Sequence, residues 1–210
     1  MSTAAGPPLT LRVVVRETPN QERSRPPKER VLAQRAAARA ALAEAAELAG
    51  CPDRAFEKTG PRGKPLPTAS GWRWSITHDA TLVAAVVAPG FLVGIDVEEI
   101  VLRRDLLIER VAGADERRIL SQDGEPFTAL GFARLWTAKE AVLKAELIGL
   151  PGLGRCTVVG APSEMQVELT YDDAPRLAQQ ARFEEQIISV CALAPGGALP
   201  PIEWSFPPRS

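Results

Sequence analysis

The chain has 210 residues, 45% of them hydrophobic, and a formal net charge of -1 at pH 7, so it can bury the core of one large domain or two small ones. That near-neutral balance excludes the broad positive field that draws nucleic acid or anionic lipid, and leaves only local patches for binding phosphate. No apolar run reaches the ~18 residues of a membrane span, and MSTAAGPPLTLRVVVRE lacks the basic start and long apolar stretch of an export signal; a cytoplasmic protein is expected.

In chain order, LTLRVVVRE (9–17) reads as a strand and NQERSRPPKER (20–30) as a polar loop, because Pro26 and Pro27 fix φ and remove donors. Residues 29–50 are alanine-rich and end on Gly50, the pattern of a helix with a glycine cap. KTGPRGKPLP (58–67) is a turn-rich loop. GWRWSI (71–76), TLVAAVVAPG (81–90) and FLVGIDVEEI (91–100) read as successive strands, with a tight turn at Pro89 and Gly90. Residues 104–121 read as one or two short helices, broken at Gly124. Pro126 suits the first turn of a long helix running to about Leu147. RCTVVG, MQVELTY and ARFEEQIISVCALAPG return the chain to β structure.

One internal echo bears on architecture. TLVAAVVAPGFLVGIDVE (81–98) resembles IISVCALAPGGALPPIEW (187–204), with Ala-Pro-Gly in register, which predicts two similar α+β halves. Where the first copy carries Asp96 and Glu98, the second has Ile202 and Trp204, so acidity is kept in one half only.

Asp96 and Glu98 stand two apart in an extended segment and therefore share a strand face. Such a pair reads either as a solvated strand end or as hard oxygen ligands for Mg2+. Glu140 and Lys144, four apart, read either as a surface ion pair or as an acid and a cation with a task, since Phe132, Leu135, Trp136, Val142 and Leu143 make their helix largely apolar. His78 is the only histidine. It, Lys64 in a glycine-containing loop, and Arg39 on the alanine-rich helix each have a plain structural reading as well. Cys51, Cys156 and Cys191 form no CxxC pair and read as buried, reduced thiols.

Taken in order, GKP, SITHD, GIDVE and, about forty residues on, LWTAKEAVLKA resemble the motifs of 4'-phosphopantetheinyl transferases of the surfactin-synthetase-activating type. The resemblance is clear over residues 62–150 and weak in the flanks. It implies a monomer built as a pseudo-twofold pair of α+β halves, 1–95 and 96–210, with the active site where they meet. It also implies transfer of the phosphopantetheine arm of coenzyme A to a serine of an acyl or peptidyl carrier protein, in fatty acid, polyketide or nonribosomal peptide synthesis. On this resemblance Asp96, Glu98 and Glu140 are the Mg2+ ligands, with Glu140 as base and Lys144 at the reacting phosphate. Lys139, Lys64, His78 and Arg39 then hold the coenzyme A phosphates. Two stretches depart from the family pattern: Thr77-His78-Asp79 replaces Ser-His-Ser, and Leu147 stands where glycine is frequent. A non-catalytic coenzyme A or carrier-protein binding module on the same scaffold is the alternative, and no G-x-x-x-x-G-K-[ST] pattern supports a nucleoside triphosphatase.

Overall fold

Alternating small and branched apolar residues let two strands of the first sheet bury both faces, and this sets the layering of the whole molecule. The computed structural model describes residues 9–18, 26–59, 63–101, 103–121 and 126–208. The first sheet holds β1 (Leu11–Glu17), β2 (Trp72–His78), β3 (Leu82–Pro89) and β9 (Ile202–Ser205), in the order β2-β3-β1-β9. Leu82, Ala84, Val86 and Ala88 of β3 face the second sheet. Val83, Ala85 and Val87 face the alanine-rich helix α1 (Pro27–Leu48). The second sheet, in the order β4-β8-β7-β6-β5, is made of β4 (Val93–Glu99), β5 (Cys156–Ser163), β6 (Gln166–Tyr171), β7 (Ala174–Phe183) and β8 (Gln186–Ala192). Its outer face is covered by α4 (Ala129–Ala145), and the short helices α2 (Asp105–Val111) and α3 (Ala114–Leu120) pack beside α4.

The two halves repeat one plan. In the first, β3 lies between β2 and β1, antiparallel to both. In the second, β8 lies between β7 and β4 in the same way, and each half lays one long helix on its sheet. The α+β class with two similar halves is therefore present in the structure. Both Ala-Pro-Gly turns of the sequence echo mark places where the chain crosses between sheets, from β3 to β4 and from β8 to β9, and Gly90 and Gly196 take φ of 77° and 85° there. The division expected between residues 95 and 96 falls inside β4, and β9 returns to the first sheet by pairing parallel with β1.

Several boundaries differ from the sequence reading. Helix α1 starts at Pro27, where a missing N–H costs nothing. Helix α4 starts at Ala129 rather than at Pro126, because the Thr128 hydroxyl accepts from Gly131 N at 3.1 Å and so caps the helix two residues later. Within the β region of residues 181–196 the chain turns at Glu184, with φ of 50°, and β7 begins well before it, at Ala174. The proposed break at Gly124 lies outside the described residues. Among the described residues no helix is long and apolar enough to cross a membrane.

Candidate active site

Gly94, Asp96 and Glu98 share the face of β4 that looks at α4, while Ile95 and Val97 are buried against the first sheet. Gly94 allows the helix to come close: a Cβ there would meet Ala141 O at 2.0 Å and Ala145 N at 2.5 Å. On α4 the matching side chains are Trp136, Glu140 and Lys144, four apart and hence on one stripe. Trp136 Nε1 donates to Glu98 Oε1 at 3.1 Å, and Lys144 Nζ donates to Asp96 Oδ1 at 2.6 Å and to the Ile95 carbonyl at 3.0 Å. Helix and strand thus run antiparallel, with the acids between them.

The edge strand β2 of the first sheet closes this arrangement. Ile95 N donates to Ser75 Oγ at 3.2 Å. The Thr77 hydroxyl donates to Asp96 Oδ1 at 3.0 Å and accepts from Lys144 Nζ at 3.2 Å. Behind the site, Ser189, the β8 partner of Asp96, donates to Thr137 Oγ1 at 2.7 Å and accepts from Gln180 at 2.8 Å, which seats α4 on the sheet through a buried polar network.

Charge of each sign is left in excess on its own side. Asp96 is only 6% exposed; its Oδ2 and Glu140 Oε1 are buried and, among the described residues, have no hydrogen-bond donor. Burial and then the Asp96 carboxylate push Glu140 above the usual carboxylate range, against a weaker pull from Lys144. Glu98 is raised by the same two causes, although Arg103 and Trp136 pull it down. On the other side, Lys58 is lowered by burial and then by Lys144, Arg39 and Arg35, and its ammonium lies 5.7 Å from the Trp74 ring centre. His78, at the end of β2, is lowered first by partial burial of its ring and then by Lys144, with Asp79 opposing. Among the described residues none of Arg35, Arg39, Lys58 and His78 forms an ion pair with an acid.

The expected site residues divide as follows. Asp96, Glu98, Glu140, Lys144 and His78 come together, and Arg39 is exposed on α1, where its charge lowers Lys58. Lys64 is exposed on the adjoining loop, where its backbone exchanges hydrogen bonds with Thr59. Lys139 is a correction. It is 3% exposed and donates to Val111 O at 2.8 Å and to Glu116 Oε1 at 2.7 Å, so its ammonium is committed to the core rather than offered to a phosphate. One residue on an α-helix is 100° of rotation, which turns Lys139 away from the stripe that carries Glu140. Asp79, the acid next to His78, caps its own turn: Oδ1 accepts from Thr81 N and Leu82 N, both at 2.6 Å. Thr77, Trp136, Arg103, Lys58 and Arg35 were not singled out from the sequence. Only Trp136, one turn before Glu140, carried a periodic signal.

The buried oxygens of Asp96 and Glu140 that have no donor among the described residues, with Glu98 beside them, have the chemistry of a hard-cation site, and Glu98 and Glu140, both pushed toward protonation, would be relieved by a divalent ion. Among the described residues no three His, Cys, Asp or Glu side chains are already gathered as a complete ligand set. A donor set of Asp96 and Glu140 therefore fits such an ion, with Glu98 held by other partners. No match to a curated protein was found for this chain. Residues 92–191, from the start of β4 through β8 and so including Asp96, Glu98, Glu140 and Lys144, match the family model described as the 4'-phosphopantetheinyl transferase superfamily.

Proposed function

We propose that the protein transfers the 4'-phosphopantetheine arm of coenzyme A to a serine of an acyl or peptidyl carrier protein, releasing adenosine 3',5'-bisphosphate. The observation that carries this reading is a buried Glu140 oxygen, with no donor among the described residues, one helical turn before a Lys144 that donates to Asp96. A module that only binds has no use for a buried base beside a cation. The cluster of Arg35, Arg39, Lys58 and His78, short of acids, supports binding of a polyanion such as coenzyme A, with Lys64 on the neighbouring loop.

In this reading Glu140, raised by burial, takes the proton of the serine hydroxyl. The serine oxygen forms a bond to the pyrophosphate phosphorus that carries pantetheine, and the bond from that phosphorus to the bridging oxygen breaks. Lys144, steadied by Thr77 and the Ile95 carbonyl, offsets charge on the transferred phosphoryl group. His78 donates a hydrogen bond to a coenzyme A phosphate. Asp96 and Glu140, joined by Glu98, would hold Mg2+, which when bound supplies Lewis-acid neutralisation of the pyrophosphate. The two-half arrangement supports the surfactin-synthetase-activating type, acting as a monomer; the free, buried cysteines support a reducing cytoplasm.

The test is intact mass of apo carrier proteins after incubation with coenzyme A and Mg2+. A gain of the phosphopantetheine mass, abolished by EDTA and by Glu140→Gln, is expected. Tight coenzyme A binding without any mass gain would instead favour the binding-module alternative.

A further inference from the structure

The three carboxylates of the site are not equally free. Among the described residues Asp96 Oδ2 and Glu140 Oε1 have no donor, whereas both oxygens of Glu98 are engaged, Oε1 by Trp136 and Oε2 by Arg103 Nη2 at 2.8 Å. The Arg103–Glu98 pair is only partly screened, with 33% and 27% of the two side chains exposed. Arg103 stands between β4 and α2. Among the described residues its pair with Glu98 is the only side-chain hydrogen bond or ion pair made by residues 103–110. The rest of that stretch is weakly held. Leu106 is 81% and Leu107 41% exposed, and α2 buries Val111 at its far end.

We propose that Arg103 is a metal-sensitive latch: its guanidinium occupies Glu98 until a divalent cation recruits that carboxylate, so filling the site releases residues 103–110. The inference rests on the reading above that the acids hold a divalent ion. An entering cation and the guanidinium carry like charge and compete for one carboxylate, so each weakens the other. By the same reciprocity, whatever partner prefers the released segment also tightens metal binding. Arg103 acts through Glu98 and is a positioning residue, not a catalytic one.

The experiment compares wild type, Arg103→Gln and Asp96→Ala, using Mn2+ as the probe. Calorimetry reads affinity, and hydrogen exchange followed by mass spectrometry reads residues 103–110. Saturating Mn2+ is expected to speed exchange there in wild type. Arg103→Gln should exchange fast with or without Mn2+ and bind it about fivefold more tightly, the effect of removing a partly exposed competing pair. Asp96→Ala should show neither response. Unchanged exchange in wild type with Mn2+ bound, or equal or weaker Mn2+ binding by Arg103→Gln, overturns the latch and leaves the metal reading standing. No Mn2+ binding by wild type overturns both.

Discussion

Glu140 and Lys144 are four residues apart, the spacing of an ordinary surface pair, yet in the structure Lys144 donates hydrogen bonds to Asp96 and Thr77 while Glu140 keeps a buried oxygen with no donor among the described residues. A surface pair contributes well under ~1 kcal/mol, so its loss would touch neither stability nor turnover strongly. Here the two effects should separate. Glu140→Gln and Lys144→Ala are expected to lower kcat by about two orders of magnitude or more. In metal-free buffer Glu140→Gln should at the same time hold or raise Tm, because it removes a buried charge. Parallel small losses in both measurements would return the residues to a structural role. The cysteines give a pH test. Burial pushes the thiols of Cys156 and Cys191 up to about 12, from 9.0 in an unfolded chain. Their contribution to stability is therefore complete below pH 9.0 and is lost as pH rises toward 12. At pH 8 a thiol-reactive dye should label neither in the native protein and both after unfolding in guanidinium.

At the scale of elements, the site depends on how closely α4 lies on β4. Gly94→Ala would set a methyl carbon against the Ala141 carbonyl oxygen, which belongs to helix backbone and has no side chain to swing aside. The substitution should cost about 3 kcal/mol or more in urea unfolding and displace Glu140 and Lys144 together. The second tie is the buried Lys139–Glu116 pair. Glu116 also accepts from Gly113 N and Val158 N, both at 2.8 Å, so it joins α3, α4 and β5. Glu116→Ala leaves an ammonium buried with only the Val111 carbonyl, and about 3 to 5 kcal/mol of lost stability is expected. Lys139→Met leaves Glu116 its two backbone donors and should cost less. If Lys139 is structural, Lys139→Met also leaves the KM for coenzyme A unchanged. A several-fold rise in that KM would place it back among the phosphate ligands.

For the whole molecule, the two halves meet with acids of β4 and α4 on one side and cations of α1 and β2, with Lys58, on the other. Lys144 meets Asp96 and Arg103 meets Glu98, but among the described residues Glu140 and those cations have no ion-pair partner, a cost that ligands of both kinds would relieve. Mg2+ at a hundred times its Kd should stabilise the protein by about 2.7 kcal/mol, seen as a rise in Tm. Asp96→Ala should show no such rise. An equal shift in both proteins would mean that the ion acts elsewhere.

Much of this was written locally. The four-residue spacing of Trp136, Glu140 and Lys144, close to the helical period, and the two-residue spacing of Gly94, Asp96 and Glu98 follow from single-element geometry, so one face of each could be read from the chain alone. The Ala-Pro-Gly echo likewise announced the repeated halves, because each crossover between sheets needs the same turn. What periodicity could not supply is which element faces which. Lys139 and Lys144 are equally basic and five residues apart, and only the packing of α3 against α4 sends one into the core and leaves the other over Asp96. Thr77, Lys58 and Arg103 lie at strand ends and in loops, where sequence imposes no period, and they reach the acids or one another across separations in the chain that only the closed fold makes short. Sequence determined the faces; the tertiary structure decided their partners, because side-chain direction is a local property and charge pairing is not.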